Sequence, residues 1–201
     1  MALLNSACKS DDKLQKLALT TPAITPEDVF SEADIVSTYV RAETSDAYCN
    51  LMVGAAFKEK LIAAVNQLRA TEQKCGEQIF PASAPLVWNV KLQRAAYEHS
   101  AQMAITNLVS HASLDARRPA DRVHAMGYRF AALGENICAG EFDIPGAIKA
   151  WLDSPSHCKQ MLSADYTELG VACVKREKGY YRRYWTMNLA SPLSDVVPVV
   201  Q

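Results

Sequence analysis

Four histidines and six cysteines hold most of the chemistry open to this chain. His111 sits in a polar stretch from Ser110 to Arg118, and His157 closes the run Ser154-Pro155-Ser156-His157. Neutral imidazoles bind zinc and similar ions, and beside a carboxylate they titrate near neutral pH and can move protons. These two come from separate loops forty-six positions apart, without the HExxH spacing that sets two ligands on one helical turn. An ion shared between them would be labile. Ser110, Ser113, Ser154 and Ser156 lie near them in sequence, yet none occupies a Gly-x-Ser-x-Gly turn or another activating context. His99 lies on one helical face with Leu92, Ala95, Ala96 and Met103 and reads as a core residue; His124 reads as a surface or packing residue.

Cys8, Cys49, Cys75, Cys138, Cys158 and Cys173 include no CxxC pair and no zinc-like Cys/His spacing. An even set of this kind favours disulfides and an oxidising compartment, with scattered buried thiols of a reduced protein as the alternative. Met1 to Ala7 is too short for the apolar region of a secretory leader. Ala7-Cys8 is faintly like a lipoprotein cleavage site, with Asn5 where a leucine is wanted. The hydrophobic and charged fractions, 49 % and 21 %, are those of a folded globular protein, and no apolar window approaches the eighteen residues of a transmembrane segment. A net charge of −1 argues against a nucleic-acid partner. The charge is uneven: residues 1–56 carry −4 and residues 57–201 carry +3. The first stretch reads as an arm, loosely held apart from a short helix starting at Thr25-Pro26.

Helical spacing of Leu61, Ile62, Val65 and Leu68 predicts a first helix from Phe57, ended by Cys75-Gly76. A second runs from Asn89 to Asn107, a short third opens at Pro119, and a fourth opens at Asp143-Ile144-Pro145 and carries Ala147, Ile148 and Trp151. Gly134-Glu135-Asn136-Ile137 leads into a short strand. Leu169 to Val174 and Tyr180 to Leu189 read as two strands joined by a charged turn, and the helices need such a sheet to cover. The stretch from Lys175 to Trp185, basic side chains with interleaved aromatics on a hairpin, could face an anionic glycan, a lipid head group or a protein; its bland reading is a solvated turn plus an amphipathic strand.

Pro85-Leu-Val-Trp-Asn89, Ala95-Ala-Tyr-Glu-His99, Ser110-His111-Ala-Ser113, Asp121-Arg122, Gly127-Tyr128, Gly134-Glu-Asn-Ile137, Ala150-Trp-Leu-Asp-Ser-Pro-Ser-His157, Leu169-Gly-Val-Ala172 and Tyr184-Trp-Thr-Met187 occur in one order. Together they resemble the bacterial branch of the CAP superfamily, the cysteine-rich secretory or SCP-like proteins. The resemblance spans a domain at residues 57–192, leaving 1–56 as the arm and 193–201 as a C-terminal tail. It implies an α/β fold, a three-layer α/β/α sandwich with a small, mainly antiparallel sheet flanked by about four helices.

The resemblance also implies a cleft in which His111, Glu135 and His157 converge, with His111 and His157 as ligands for zinc or another weakly bound divalent cation. A further family glutamate falls at Ser154; Glu168 is the nearest replacement in sequence, although it could equally pair locally. Glu168, Tyr184 and Trp185 are the remaining ligand-binding candidates. A bacterial subgroup of the family pairs Cys75 with Cys158. Cys138 and Cys173, both on expected strands, are then expected to pair, leaving Cys8 with Cys49. The implied function is that of a secreted, periplasmic or cell-envelope module binding a lipid or a cell-wall glycan. A metal-assisted or acid/base hydrolase is the rival, and an envelope protein with a vestigial cleft the third reading.

Overall fold

A computed structural model describes residue 49 and residues 54–193. The expectations for the arm, its short helix after Pro26, Cys8, and the tail beyond Leu193 lie outside the described residues. The elements run α1 (Gly54–Arg69), β1 (Gln73–Cys75), β2 (Gln78–Phe80), β3 (Val87–Trp88), α2 (Val90–Thr106), α3 (Pro119–Ala125), β4 (Phe130–Gly140), α4 (Ile144–Leu152), α5 (Pro155–Leu162), β5 (Glu168–Lys175) and β6 (Arg183–Pro192).

The main sheet has the order β3-β5-β6-β4, with β3 parallel to β5 and the other pairs antiparallel. Strand side chains alternate between faces, and here both faces are apolar. Trp185, Met187 and Leu189 of β6 join Phe57, Leu61 and Val65 of α1 and Ile148 and Trp151 of α4 in one core cluster. Tyr184 joins Ala101, Met103 and Ala104 of α2 in another, with Ile137 and Ala139 of β4. The sheet thus lies between α2 on one side and α1, α4 and α5 on the other, the expected α/β/α layering.

Polar residues on the α2 face are bonded where they are buried. Ser100 Oγ donates to Thr186 Oγ1 at 2.8 Å, and Asn188 Nδ2 donates to the Leu92 carbonyl at 3.1 Å. Gly170 lets α2 lie directly on β5, because a Cβ there would strike the backbone at Leu92 and Gln93. Asn89 caps α2, its Oδ1 accepting from the amides of Lys91 and Leu92. Arg69, buried at the end of α1, donates to the carbonyls of Ala84, Met161, Ser163 and Tyr166 and so fixes the end of α5.

Three expectations are corrected. The first helix ends at Arg69; Cys75 closes strand β1 and Gly76-Glu77 forms the turn of a separate β1–β2 hairpin, with Gly76 at φ +62°. The segment holding His157 is a helix, α5, in which Pro155 occupies the first turn, where its missing N–H costs nothing. Cys173 is joined to Cys49, which overturns both Cys138–Cys173 and Cys8–Cys49. Cys138 and Cys173 both stand opposite Trp185, on β4 and β5, with β6 between them. Two strand spacings, about 9.5 Å, exceed the Cα separation that a disulfide spans. Cys75 and Cys158 are bonded as expected, tying the hairpin to α5.

Candidate functional site

Glu135 lies on β4 with the parity of Ile137 and Ala139, so its side chain faces α2 and the loop before α3. His111 Nδ1 donates to Glu135 Oε1 at 2.8 Å, and Arg122 Nη2 donates to Glu135 Oε2 at 2.7 Å. His99, from α2, places Nε2 at 3.9 Å from Oε1 while donating to the Ser110 carbonyl at 2.7 Å. Arg122 is fully buried and reaches further: its guanidinium also donates to the His111 carbonyl, Ser113 Oγ and the Arg117 carbonyl. One side chain therefore holds the backbone of His111 and the carboxylate that orients the His111 ring.

Burial alone would push the Glu135 carboxyl up. The His111 hydrogen bond and the nearby Arg122 charge outweigh it and hold the carboxyl below its ordinary value. Burial pushes His99 down to about 4, so His99 is neutral at neutral pH and carries its proton on Nε2, toward Ser110. With Glu135 ionised and accepting from Nδ1, a neutral His111 ring carries its lone pair on Nε2. Such an imidazole can accept a proton or a ligand donor, and its carboxylate partner fixes the tautomer.

Beside this cluster, β4 forms the floor of an open recess of roughly 560 Å³. His111, Arg118, Pro119 and Ala120 line one side, Gln160 and Tyr166 the other, with Phe130, Leu133, Gly134 and Glu135 along the strand. Among the described residues β4 is an edge strand, so the recess reaches around its edge from the α2 side to the α5 side. Gly134 lets Gln160 and Tyr166 pack directly on the strand at this wall: a Cβ would meet Gln160 Oε1 and would stand 2.6 Å from the Tyr166 hydroxyl.

His157 lies in the first turn of α5, buried at 8 % exposure. Its carbonyl accepts from Asn136 Nδ2 at 2.9 Å. Asn136 and Glu135 are consecutive on β4 and point to opposite faces, so α5 approaches the strand from the side away from His111. His157 is not among the residues lining the recess. Glu168 is engaged elsewhere, its Oε2 accepting from Asn89 Nδ2 at 3.0 Å and from the Tyr128 hydroxyl at 2.6 Å, which steadies the cap of α2. Tyr184 and Trp185 are fully buried on opposite faces of the sheet. The Tyr184 hydroxyl donates to Asn107 Oδ1 at the end of α2, and Trp185 stacks near Phe57.

Among the described residues no group of three or more His, Cys, Asp or Glu side chains is arranged to hold a metal ion. Glu135 and Glu168 both have their carboxylates engaged by other side chains and His157 stands off the recess, leaving the His111 imidazole and solvent as the donor set there for any ion. That set suits a labile ion rather than a resident one. No described helix is long and apolar enough to cross a membrane. The sequence reading missed Arg122 as the organiser; the Asp121-Arg122 pair was visible, but nothing local says that the arginine is buried.

The class that emerges is an α/β/α sandwich with a carboxylate-oriented histidine beside an edge-strand recess. The chain belongs to the CAP family, described as the Cysteine-rich secretory protein family, whose model matches residues 62–189. It is 36 % identical over 105 residues to the uncharacterized membrane protein YlbC of Bacillus subtilis, a match covering 52 % of this chain and 28 % of YlbC. An extracellular SCP-domain protein from Bacillus anthracis superposes with a TM-score of 0.53 at 27 % identity, covering 66 % of this chain and 39 % of that one. An outer surface protein of Borrelia burgdorferi shares the fold, with a TM-score of 0.58 at 18 % identity over 71 % of this chain and 97 % of that one. The chain spans well under half the length of the two Bacillus relatives.

Proposed function

We propose that this chain is an exported CAP module that binds a ligand derived from the cell envelope, lipid or glycan, in the recess beside His111 and Glu135. The observation that carries the reading is the state of Glu135: both carboxylate oxygens are committed, one to His111 and one to Arg122, inside a wall that faces open space. A carboxylate so engaged shapes and orients; it is not poised to take a proton from water. The serines of the site are engaged too, Ser113 Oγ by Arg122 and Ser110 Oγ by the Ala112 amide, and neither stands next to an activating base. The similarity to an extracellular SCP-domain protein supports export, as do two disulfides. A divalent ion, where taken up at the recess, is held weakly by His111 with water completing its shell, since His157 stands off the recess.

One feature favours a second reading. The Glu135–His111 pair resembles the base and orienting group of an acid/base hydrolase, with His111 as base. The test separates the two: the protein is incubated with an envelope lipid extract and with a wall-glycan digest, then followed by native mass spectrometry and by product analysis. Retained, unaltered ligand supports binding. Turnover that disappears in His111→Ala supports the hydrolase and overturns the binding reading.

A further inference from the structure

We propose that the recess recognises an acidic sugar, held by Arg118 through its anionic group and by Gln160 through a hydroxyl or amide N–H. The inference rests on the reading of the recess as a ligand site and names the chemistry it selects. Gln160 lies on α5 facing β4, and its Oε1 is buried with no hydrogen-bond donor among the described residues. A buried acceptor left without a donor costs about 1–3 kcal/mol, and a donor arriving with a ligand removes that cost. Arg118 stands on the opposite wall, exposed, with no acid within ion-pairing distance of its guanidinium among the described residues, although Arg117, Arg122 and Arg182 each have one. A guanidinium of this kind is suited to a carboxylate, which it can hold through two parallel N–H bonds.

The surfaces between these two groups are those a sugar ring needs. Phe130 is fixed by stacking on His124, with ring centroids 4.7 Å apart, and Leu133 and Tyr166 add apolar surface. Burial pushes the Tyr166 phenol up, so it stays protonated and able to donate. A pyranose packs its C–H face on such a surface while its rim hydroxyls meet polar groups. An acyl chain needs continuous apolar enclosure, whereas here the recess is open and polar and apolar side chains share its walls.

The test uses the full chain and two probes, N-acetylmuramic acid and N-acetylglucosamine, which share a ring and differ by a lactyl carboxylate. Calorimetric titration at low salt should show the acidic sugar binding about tenfold more tightly, as one charge-assisted contact predicts, with the preference eroded by added salt. Arg118→Gln should bring the acidic sugar to the level of the neutral one. Gln160→Leu should weaken both by about tenfold while leaving the preference. Arg118→Gln should melt with the parent, and Gln160→Leu, which removes the unpaired buried acceptor, should melt at or above it. Equal affinity for the two sugars, variants that bind as the parent does, or no binding of either sugar at about 10 mM would each overturn the proposal. If no sugar binds but the same protein retains an envelope lipid, the recess stands as a ligand site and the acidic-sugar assignment alone fails.

Discussion

Replacing Arg122 by methionine removes one side chain from the centre of the site and leaves four acceptors behind: Glu135 Oε2, the His111 carbonyl, the Arg117 carbonyl and Ser113 Oγ. Arg122 has no exposed surface, and the Glu135 side chain is 2 % exposed, so solvent screens the loss little. Breaking such a buried pair on one side costs about 3–5 kcal/mol, because the remaining charge stays buried without its partner. For a domain of roughly 140 residues that lowers the melting temperature by about 10–15 °C. The double variant Arg122→Met/Glu135→Gln removes the orphaned charge too and should recover about 2 kcal/mol of the loss. The pH dependence has a definite sign. The folded value of Glu135 is depressed, so its stabilisation is present above the unfolded carboxylate value and is lost as pH falls through the folded value. The variant lacks part of that stabilisation, and its deficit against the parent should shrink on acidification. Urea denaturation at neutral and acid pH measures all three quantities. A single variant within about 1 kcal/mol of the parent, the range of an exposed pair, would refute the reasoning, as would a double variant no better than the single.

His99 supplies a second acid-sensitive term. Its folded value lies at about 4 against an ordinary 6.5, so the unfolded chain takes up a proton first, and stability should fall by about 3 kcal/mol as pH drops through that window; His99→Phe should flatten the slope in melts followed across it. Removing the Cys75–Cys158 bond with paired serines, across a sequence separation of 83, should cost about 4–5 kcal/mol in denaturant titration, while non-reducing peptide mapping should return Cys49 joined to Cys173. Zinc titrated by calorimetry should bind the parent weakly, bind less as pH falls through the histidine range near about 6.5, be lost in His111→Ala and be unchanged in His157→Ala, whose side chain stands off the recess.

What was legible in the sequence followed local pattern. The apolar spacing of Leu61, Val65 and Leu68 marks α1, and the run from Asn89 marks α2. α5 was hidden because a proline and two serines open it, which reads as loop until the burial of His157, Cys158, Met161 and Leu162 reveals one helical face. The disulfides failed where they depended on strand order: no local signal says that β6 separates β4 from β5, and that order keeps Cys138 from reaching Cys173. Glu168 was a fair candidate by residue type, but β5 begins beside the cap of α2, and Asn89 and Tyr128 take its carboxylate. Arg122 escaped because a buried arginine on a seven-residue helix has the same sequence signature as a solvated one.

The recess beside His111 and Glu135, bordered by Gly134, is where we propose that this CAP domain holds its ligand. Gly134→Ala tests it most directly, since the added methyl meets Gln160 and Tyr166, both side chains, and touches neither His111 nor Arg122. Parent and variant, purified without detergent after exposure to the same envelope extract, are compared by native mass spectrometry and by melting. The parent should carry a small-molecule adduct that is lost or reduced at least about tenfold on a folded variant, the effect of filling a contact site. An adduct equally abundant on both proteins, or absent from the parent, would contradict it.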